Sequence, residues 1–165
     1  MKLGLHIGKF DWPGSPTNIG SKLAEIAITT DQSGFSSIWV MDHVFQLGSQ
    51  FGTIHGPESA SMLDSNSTIA FMTALTKNIK VGVQVNCNFF RNSALLIKTH
   101  TTIDVLSGGR TYFGIGAGWF ERESIGYGFT FPPLKERFKR LEEILKIAKH
   151  MWSDKHTEPF FGEFF

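Results

Sequence analysis

Four times along this 165-residue chain, a short apolar run gives way to a longer stretch in which apolar residues recur at helical spacing. The runs at residues 2–7, 38–41, 81–85 and 112–115 are short and bounded by polar or turn residues, as expected of buried strands. Residues 19–32 place Leu23, Ile26, Ala27 and Thr30 on one helical face. Gly34 follows where a helix C-terminus favours positive φ. A second helix is predicted over 65–76, with Asp64 or Ser65 as its N-cap. Asn92 offers the N-cap of a third, running through Leu106 with Leu95, Leu96, Thr99, Ile103 and Leu106 as its apolar stripe. A fourth is predicted over 134–152, opened by Pro132 and Pro133. Its inward face is read as Leu134, Phe138, Leu141, Leu145, Ala148 and Trp152, with Glu136 and Arg140, and Glu142 and Lys146, paired on the exposed side. The last six residues hold four phenylalanines and read as the start of a hairpin.

Strand starts fall roughly 30 to 45 residues apart, each strand with a helix behind it, which means βαβ units and a parallel sheet. An open doubly wound sheet and a (β/α)8 TIM-type barrel both fit. A full barrel needs about 250 residues, so the chain would hold only about the first four βα units, as one domain over 1–165. Composition narrows the function. A net charge of +1 gives no basic field for nucleic acid, and no apolar run reaches membrane length. The single cysteine, Cys87, fits a reducing cytoplasm, and the N-terminus reads as a strand rather than a signal peptide.

In α/β proteins ligands bind at the C-terminal ends of the strands. Asp42 and His43 stand just past the second strand, and Asn86 and Cys87 leave the third. Gly116, Ala117 and Gly118 leave the fourth. An imidazole near its ordinary pKa gives or takes a proton readily at neutral pH. By position alone, Asp42 serves equally as a turn cap and His43 as packing. Cys87 reads as a small buried hydrophobe rather than an activated thiolate, and Asn86 and Asn88 are the better polar contacts. Gly114, Gly116 and Gly118 are no dinucleotide fingerprint, because the third glycine comes one place early. Such glycines let a backbone approach a ligand closely, or serve a tight turn. Trp119 and Phe120 suit a pocket wall or the core. The run Glu121-Arg122-Glu123 reads first as a solvated face and second as a pocket rim. His6 suits the strand mouth or the core, and His55 lies in the long connection over 44–64 that is expected to shape the substrate site. His100, His150 and His156 lack metal-ligand spacing, so no metal is expected.

Several motifs, in order, resemble one family. Gly34-Phe35-Ser36-Ser37-Ile38-Trp39-Val40-Met41-Asp42-His43 is similar to the second-strand signature of the luciferase-like flavin and deazaflavin oxidoreductases. Cys87-Asn88-Phe89-Phe90-Arg91-Asn92-Ser93-Ala94-Leu95-Leu96 resembles that family's exit from the third strand. Asp104-Val105-Leu106-Ser107-Gly108-Gly109-Arg110, followed by Gly114-Ile115-Gly116-Ala117-Gly118-Trp119-Phe120-Glu121-Arg122-Glu123, resembles its fourth-strand signature. The resemblance continues through Tyr127-Gly128 and Phe131-Pro132-Pro133 to Glu136-Arg137-Phe138 and Leu141-Glu142-Glu143. Ser93 stands where a proline is common, and Asn66 where an aromatic is common.

The resemblance implies a (β/α)8 barrel whose cofactor sits at the C-terminal mouth. It points to the branch that uses coenzyme F-420, an 8-hydroxy-5-deazaflavin, with FMN as the alternative. It implies catalytic roles for His43 and Asp42, and cofactor contacts at Asn86, Cys87, Gly116, Ala117 and Gly118. It also implies a non-prolyl cis peptide near Asn86. The expected activity is hydride transfer between the deazaflavin and a small organic substrate. The alternatives are an FMN-dependent monooxygenase of the same fold, or a catalytically silent half-barrel acting as an assembly module. Family members continue for roughly as many residues again. The chain therefore reads as truncated, to be completed by a partner copy or a C-terminal half, or as a piece of a longer product.

Overall fold

A computed structural model describes residues 1–154 and 158–165, so His156 lies outside the described residues. Strands β1 (Gly4–Ile7), β2 (Ser37–Val40), β3 (Lys80–Val83) and β5 (Thr111–Tyr112) form a four-stranded parallel sheet in the order β1-β2-β3-β5. A second parallel pair, β4 (Asn86–Cys87) with β6 (Ile115–Gly116), continues β3 and β5 beyond a shared break. The third and fourth predicted strands are thus each two short strands. Gly114 sits at the break and its carbonyl accepts from Asn86 N at 2.9 Å. The peptide between Gln84 and Val85, next to Asn86, is cis.

Helices α1 (Ile19–Gln32), α2 (Ser65–Leu75), α3 (Ser93–Ser107) and α5 (Leu134–Met151) follow the strands, and a short α4 (Glu121–Gly126) follows β6. Two N-caps act as predicted. Asp64 accepts from Ser67 N and Asn92 from Leu95 N, satisfying amides that the first turn leaves free. Gly108 closes α3 in the left-handed conformation at φ 71°. The core lies between sheet and helices. Ile7, Ile38, Val40, Val81 and Val83 pack against Leu23, Ala27, Ile69, Met72 and Ile103. No described helix is long and apolar enough to cross a membrane.

Two predicted stripes are rotated. On α3 the inward residues are Leu96, Ile97, His100 and Ile103, whereas Leu95 and Leu106 are 63% and 82% exposed. On α5 the inward residues are Arg137, Ile144, Ile147 and Ala148; Leu134, Phe138, Leu145 and Trp152 are exposed. The cause on α5 is Arg137, a charged residue that turns inward because buried carbonyls meet it. Its guanidinium donates to Pro132 O and Gly118 O and lies 4.4 Å from the Phe131 ring centre. The predicted ion pairs on α5 are present, Glu136 with Arg140 and Glu142 with Lys146. The apolar C-terminal residues form a turn rather than a strand, with Gly162 N donating to Phe165 O at 2.8 Å. Phe160 and Phe165 pack against the cluster of Ile97, Ile144, Ile147 and Ala148.

Candidate active site

At the C-terminal ends of the strands lies a cleft of about 270 Å³. All seven residues singled out in the sequence line it: Asp42, His43, Asn86, Cys87, Gly116, Ala117 and Gly118. Phe89, Phe90, Trp119 and Phe120 add aromatic walls, and Val85 stands half exposed on the floor.

The seven do different work. Asp42 is buried, and both its oxygens are occupied by the protein. Oδ1 accepts from Ser65 Oγ at 2.7 Å and from Arg91 Nη2 at 2.9 Å; Oδ2 accepts from Cys87 N at 2.9 Å and from Arg91 Nη1 at 2.7 Å. This bidentate pair fixes planar geometry at both ends. Arg91 also donates to Asp64. Burial disfavours the Arg91 charge, but Asp42 and Asp64 outweigh that and raise its pKa above its ordinary value. Burial likewise pushes Asp64 toward its neutral form, yet Ser67 N and Arg91 carry it below the usual carboxylate range.

His43 follows Asp42 and is nearly buried. Its Nδ1 lies 2.8 Å from Glu123 Oε1, and Val44 N donates to Glu123 Oε2 at 3.0 Å. A carboxylate only accepts, so Nδ1 is the donor in this bond, and in the neutral ring Nε2 is the nitrogen with the lone pair. Trp119 and Phe120 meet the imidazole edge-on at 5.8 and 6.3 Å between ring centres. Phe51, from the long connection, packs edge-on against both.

Asn86 is committed internally. Its Oδ1 accepts from Asn66 Nδ2 at 3.0 Å and its Nδ2 donates to Gly114 O at 2.8 Å. Asn88 Nδ2 donates to Arg137 O at 2.7 Å. Cys87 is buried. Burial, then the neighbouring charges of Asp42 and Glu123, push its thiol up to about 12, so it is no nucleophile at neutral pH. The glycines prove to be packing requirements. A Cβ on Gly114 would stand 2.2 Å from Val83 O, and one on Gly116 would stand 2.7 Å from Val85 Cγ2. Gly118 adopts φ 70° with Phe89 and Cys87 Sγ against its open side. Gly114 thus lies against the backbone of β3, and Gly116 and Gly118, which also line the cleft, lie against side chains of its continuation.

Three charged positions that frame the cleft had no specific role assigned from the sequence. Of the two readings of its run, solvated face and pocket rim, Glu123 takes the second and lines the cleft, whereas its neighbours take the first: Glu121 is exposed and Arg122 pairs with Glu58 at the surface. The short α4 turns Glu123 and Ser124 inward instead. Arg91 and Arg137 lay within recognised motifs without a role. The remaining described histidines lie outside this cleft. His6 is on β1, exposed by its surface area but with partial desolvation and then His55 lowering its pKa; His55 is in the connection, and His150 bonds Glu158 O. His100 is buried on the inward face of α3.

Two outcomes follow from this geometry. Asp42→Ala leaves the partly exposed Arg91 with Asp64 alone and Cys87 N and Ser65 Oγ without their acceptor, and urea denaturation is expected to show a loss of about 1–3 kcal/mol; a loss below about 0.5 kcal/mol contradicts the clamp. Cys87 keeps its proton to about 12 when folded, against 9.0 for an unperturbed thiol. Between those values only the unfolded chain releases the proton, so stability falls as pH rises. At about pH 10 the urea midpoint of the wild type should drop further from its neutral value than that of Cys87→Ala; equal drops contradict the burial of the thiol.

The comparisons with known proteins agree with this architecture. The family model described as luciferase-like monooxygenase matches residues 1–165. An F-420-dependent glucose-6-phosphate dehydrogenase from Kineococcus radiotolerans is 30% identical over 166 residues, covering 94% of this chain and 46% of that protein. The enzyme of the same name from Mycolicibacterium smegmatis is 33% identical over 149 residues, covering 87% and 41%. Among solved structures, an F-420-dependent secondary alcohol dehydrogenase in complex with an F-420-acetone adduct superposes with a TM-score of 0.79 at 22% identity, covering 99% of this chain and 46% of that one. The oxygenating constituent of 3,6-diketocamphane monooxygenase from Pseudomonas putida, in complex with FMN, gives 0.75 at 23%, covering 99% and 41%. The chain therefore spans under half the length of the relatives it matches, and its fold is that of the first half of their TIM-type barrel. With a family match along its whole length, this chain belongs to the luciferase-like monooxygenase family.

Proposed function

We propose that this chain supplies the half of a barrel mouth that carries proton-transfer chemistry in a deazaflavin-dependent oxidoreductase acting on a small organic substrate. The observation that carries the reading is the bond from His43 Nδ1 to Glu123, which leaves Nε2 as the free ring nitrogen of a residue lining the cleft. The cleft suits a flat, largely apolar ring. It has aromatic walls, the exposed Val85 side chain on its floor and backbone from Gly116 to Gly118 along one side.

When bound, coenzyme F-420 would supply the hydride donor or acceptor. The chain's own residues do the rest. His43 Nε2 takes a proton from a substrate hydroxyl during oxidation and returns it during reduction. Glu123 fixes the tautomer and steadies the positive charge that develops on the imidazole. Asp42 is read here as a positioning residue, because all its hydrogen bonds run to the protein. Asn86 and Cys87 shape the floor, and Phe89, Phe90, Trp119 and Phe120 exclude water. The homologues named as F-420-dependent enzymes support the deazaflavin. FMN is the second reading, favoured by the structural likeness to the FMN-bound monooxygenase.

Titrating the protein with F-420 and separately with FMN, and following quenching of cofactor fluorescence, tests the reading. Saturable quenching by F-420 is expected, weakened several-fold in Gly116→Val, which drives a side chain into Val85 and the cleft wall. Saturable binding of FMN alone transfers the proposal to the second reading, and binding of neither refutes cofactor use by this chain.

A further inference from the structure

The long connection after β2 reaches the aromatic wall of the cleft through one side chain. Phe51 packs edge-on against Trp119 at 5.3 Å and Phe120 at 5.4 Å between ring centres. Those two rings line the cleft and meet the His43 imidazole. Phe51 is not itself part of the lining, so it bears on His43 only through them.

The way this segment is fastened is informative. Phe51 ends a single 3-10 turn, Ser49–Phe51, flanked by Gly48 at φ 87° and Gly52 at φ 122°. Glycine changes backbone conformation at little steric cost, so the turn is bounded by two joints. Bonds inside the tip are local: Phe51 N donates to Gly48 O and Gly52 N to Ser49 O. Gln50 Nε2 donates to Leu47 O and to Glu58 Oε1, which folds the tip onto the second half of the connection. That half is packed tightly just past β1, where a Cβ on Gly8 would stand 2.9 Å from Ile54 O. Among the described residues, 48–58 make one hydrogen-bonded ion pair to another element, from Arg122 of α4 to Glu58. The two side chains are 59% and 41% exposed, so salt screens the pair. The next residue of α4 is Glu123, the partner of His43.

We infer that residues 48–52 are a flap on the cleft wall, in which Phe51 is a positioning residue for Trp119 and Phe120 and the Glu58–Arg122 pair is the latch. With the latch made, the two rings are braced against His43 and water is kept from the imidazole. With it broken, the tip turns about Gly48 and Gly52, Phe51 leaves the rings, and the wall opens. The device governs entry to the cleft and holds for F-420 and FMN alike.

Cys87 supplies the reporter. It is the single cysteine of the chain, it is buried, and it lines the same cleft, so its alkylation by N-ethylmaleimide reads opening. Phe51→Ala should speed labelling roughly ten-fold, and Phe51→Tyr should return it to within about two-fold of the wild type. Glu58→Gln should speed labelling about two- to five-fold. Sodium chloride at about 1 M should speed the wild type by a similar factor and leave Glu58→Gln unchanged. Glu142→Gln, which breaks an exposed pair on α5 instead, should label as the wild type does. Wild-type labelling in either Phe51→Ala or Glu58→Gln, or equal acceleration in Glu142→Gln, overturns the flap. So does acceleration that merely tracks a fallen urea midpoint from variant to variant. If Phe51→Ala fails to fold, Glu58→Gln and the salt response decide.

Discussion

The Asp42 carboxylate is the constraint on which the cleft depends. It gathers four donors from three parts of the chain: the first turn of α2 through Ser65, the end of β4 through Cys87 N, and Arg91 ahead of α3. Burying that charge is costly unless every lone pair is met and the partner is held in good geometry. Here both conditions are satisfied, so the strand ends are held at fixed positions rather than packed loosely. His43 is the next residue along, and its backbone inherits that placement.

A second set of polar bonds carries the constraint across to β6 and α5. Asn86 grips Gly114 O through both its backbone and side-chain nitrogens. Asn88 takes Gly116 O and Arg137 O, and Arg137 turns back to Gly118 O. Glu123 then closes the frame by joining α4 to His43 and Val44. The glycine-rich exit of β6 belongs to this frame. Its glycines allow two strands and a loop to lie closer than any side chain permits, and the cleft is the space left beside them.

Much of this was legible in the sequence because it rests on local patterns. Apolar runs with turn residues between them marked the strands, and Asp64 and Asn92 marked two helix starts. The site residues were found because strand ends are where such folds bind ligands. What was missed depends on tertiary partners. Arg137 and Glu123 carry charges that a periodicity reading assigns to solvent, and only the carbonyls and imidazole they meet explain their burial. The stripe on α5 was misread for that reason, since Arg137 occupies a place that a pattern reserves for an apolar residue. The breaks in the third and fourth strands were equally invisible, because they arise where Gly114 and Asn86 meet.

The central claim is that Glu123 sets the His43 tautomer so that Nε2 is the nitrogen left for chemistry. Nitrogen-15 NMR of the imidazole, at a pH high enough to hold the ring neutral, reads this directly. The account predicts the hydrogen on Nδ1 in the wild type and a shift of the tautomer population in Glu123→Ala. A hydrogen on Nε2 in the wild type, unchanged by removing the carboxylate, would contradict it.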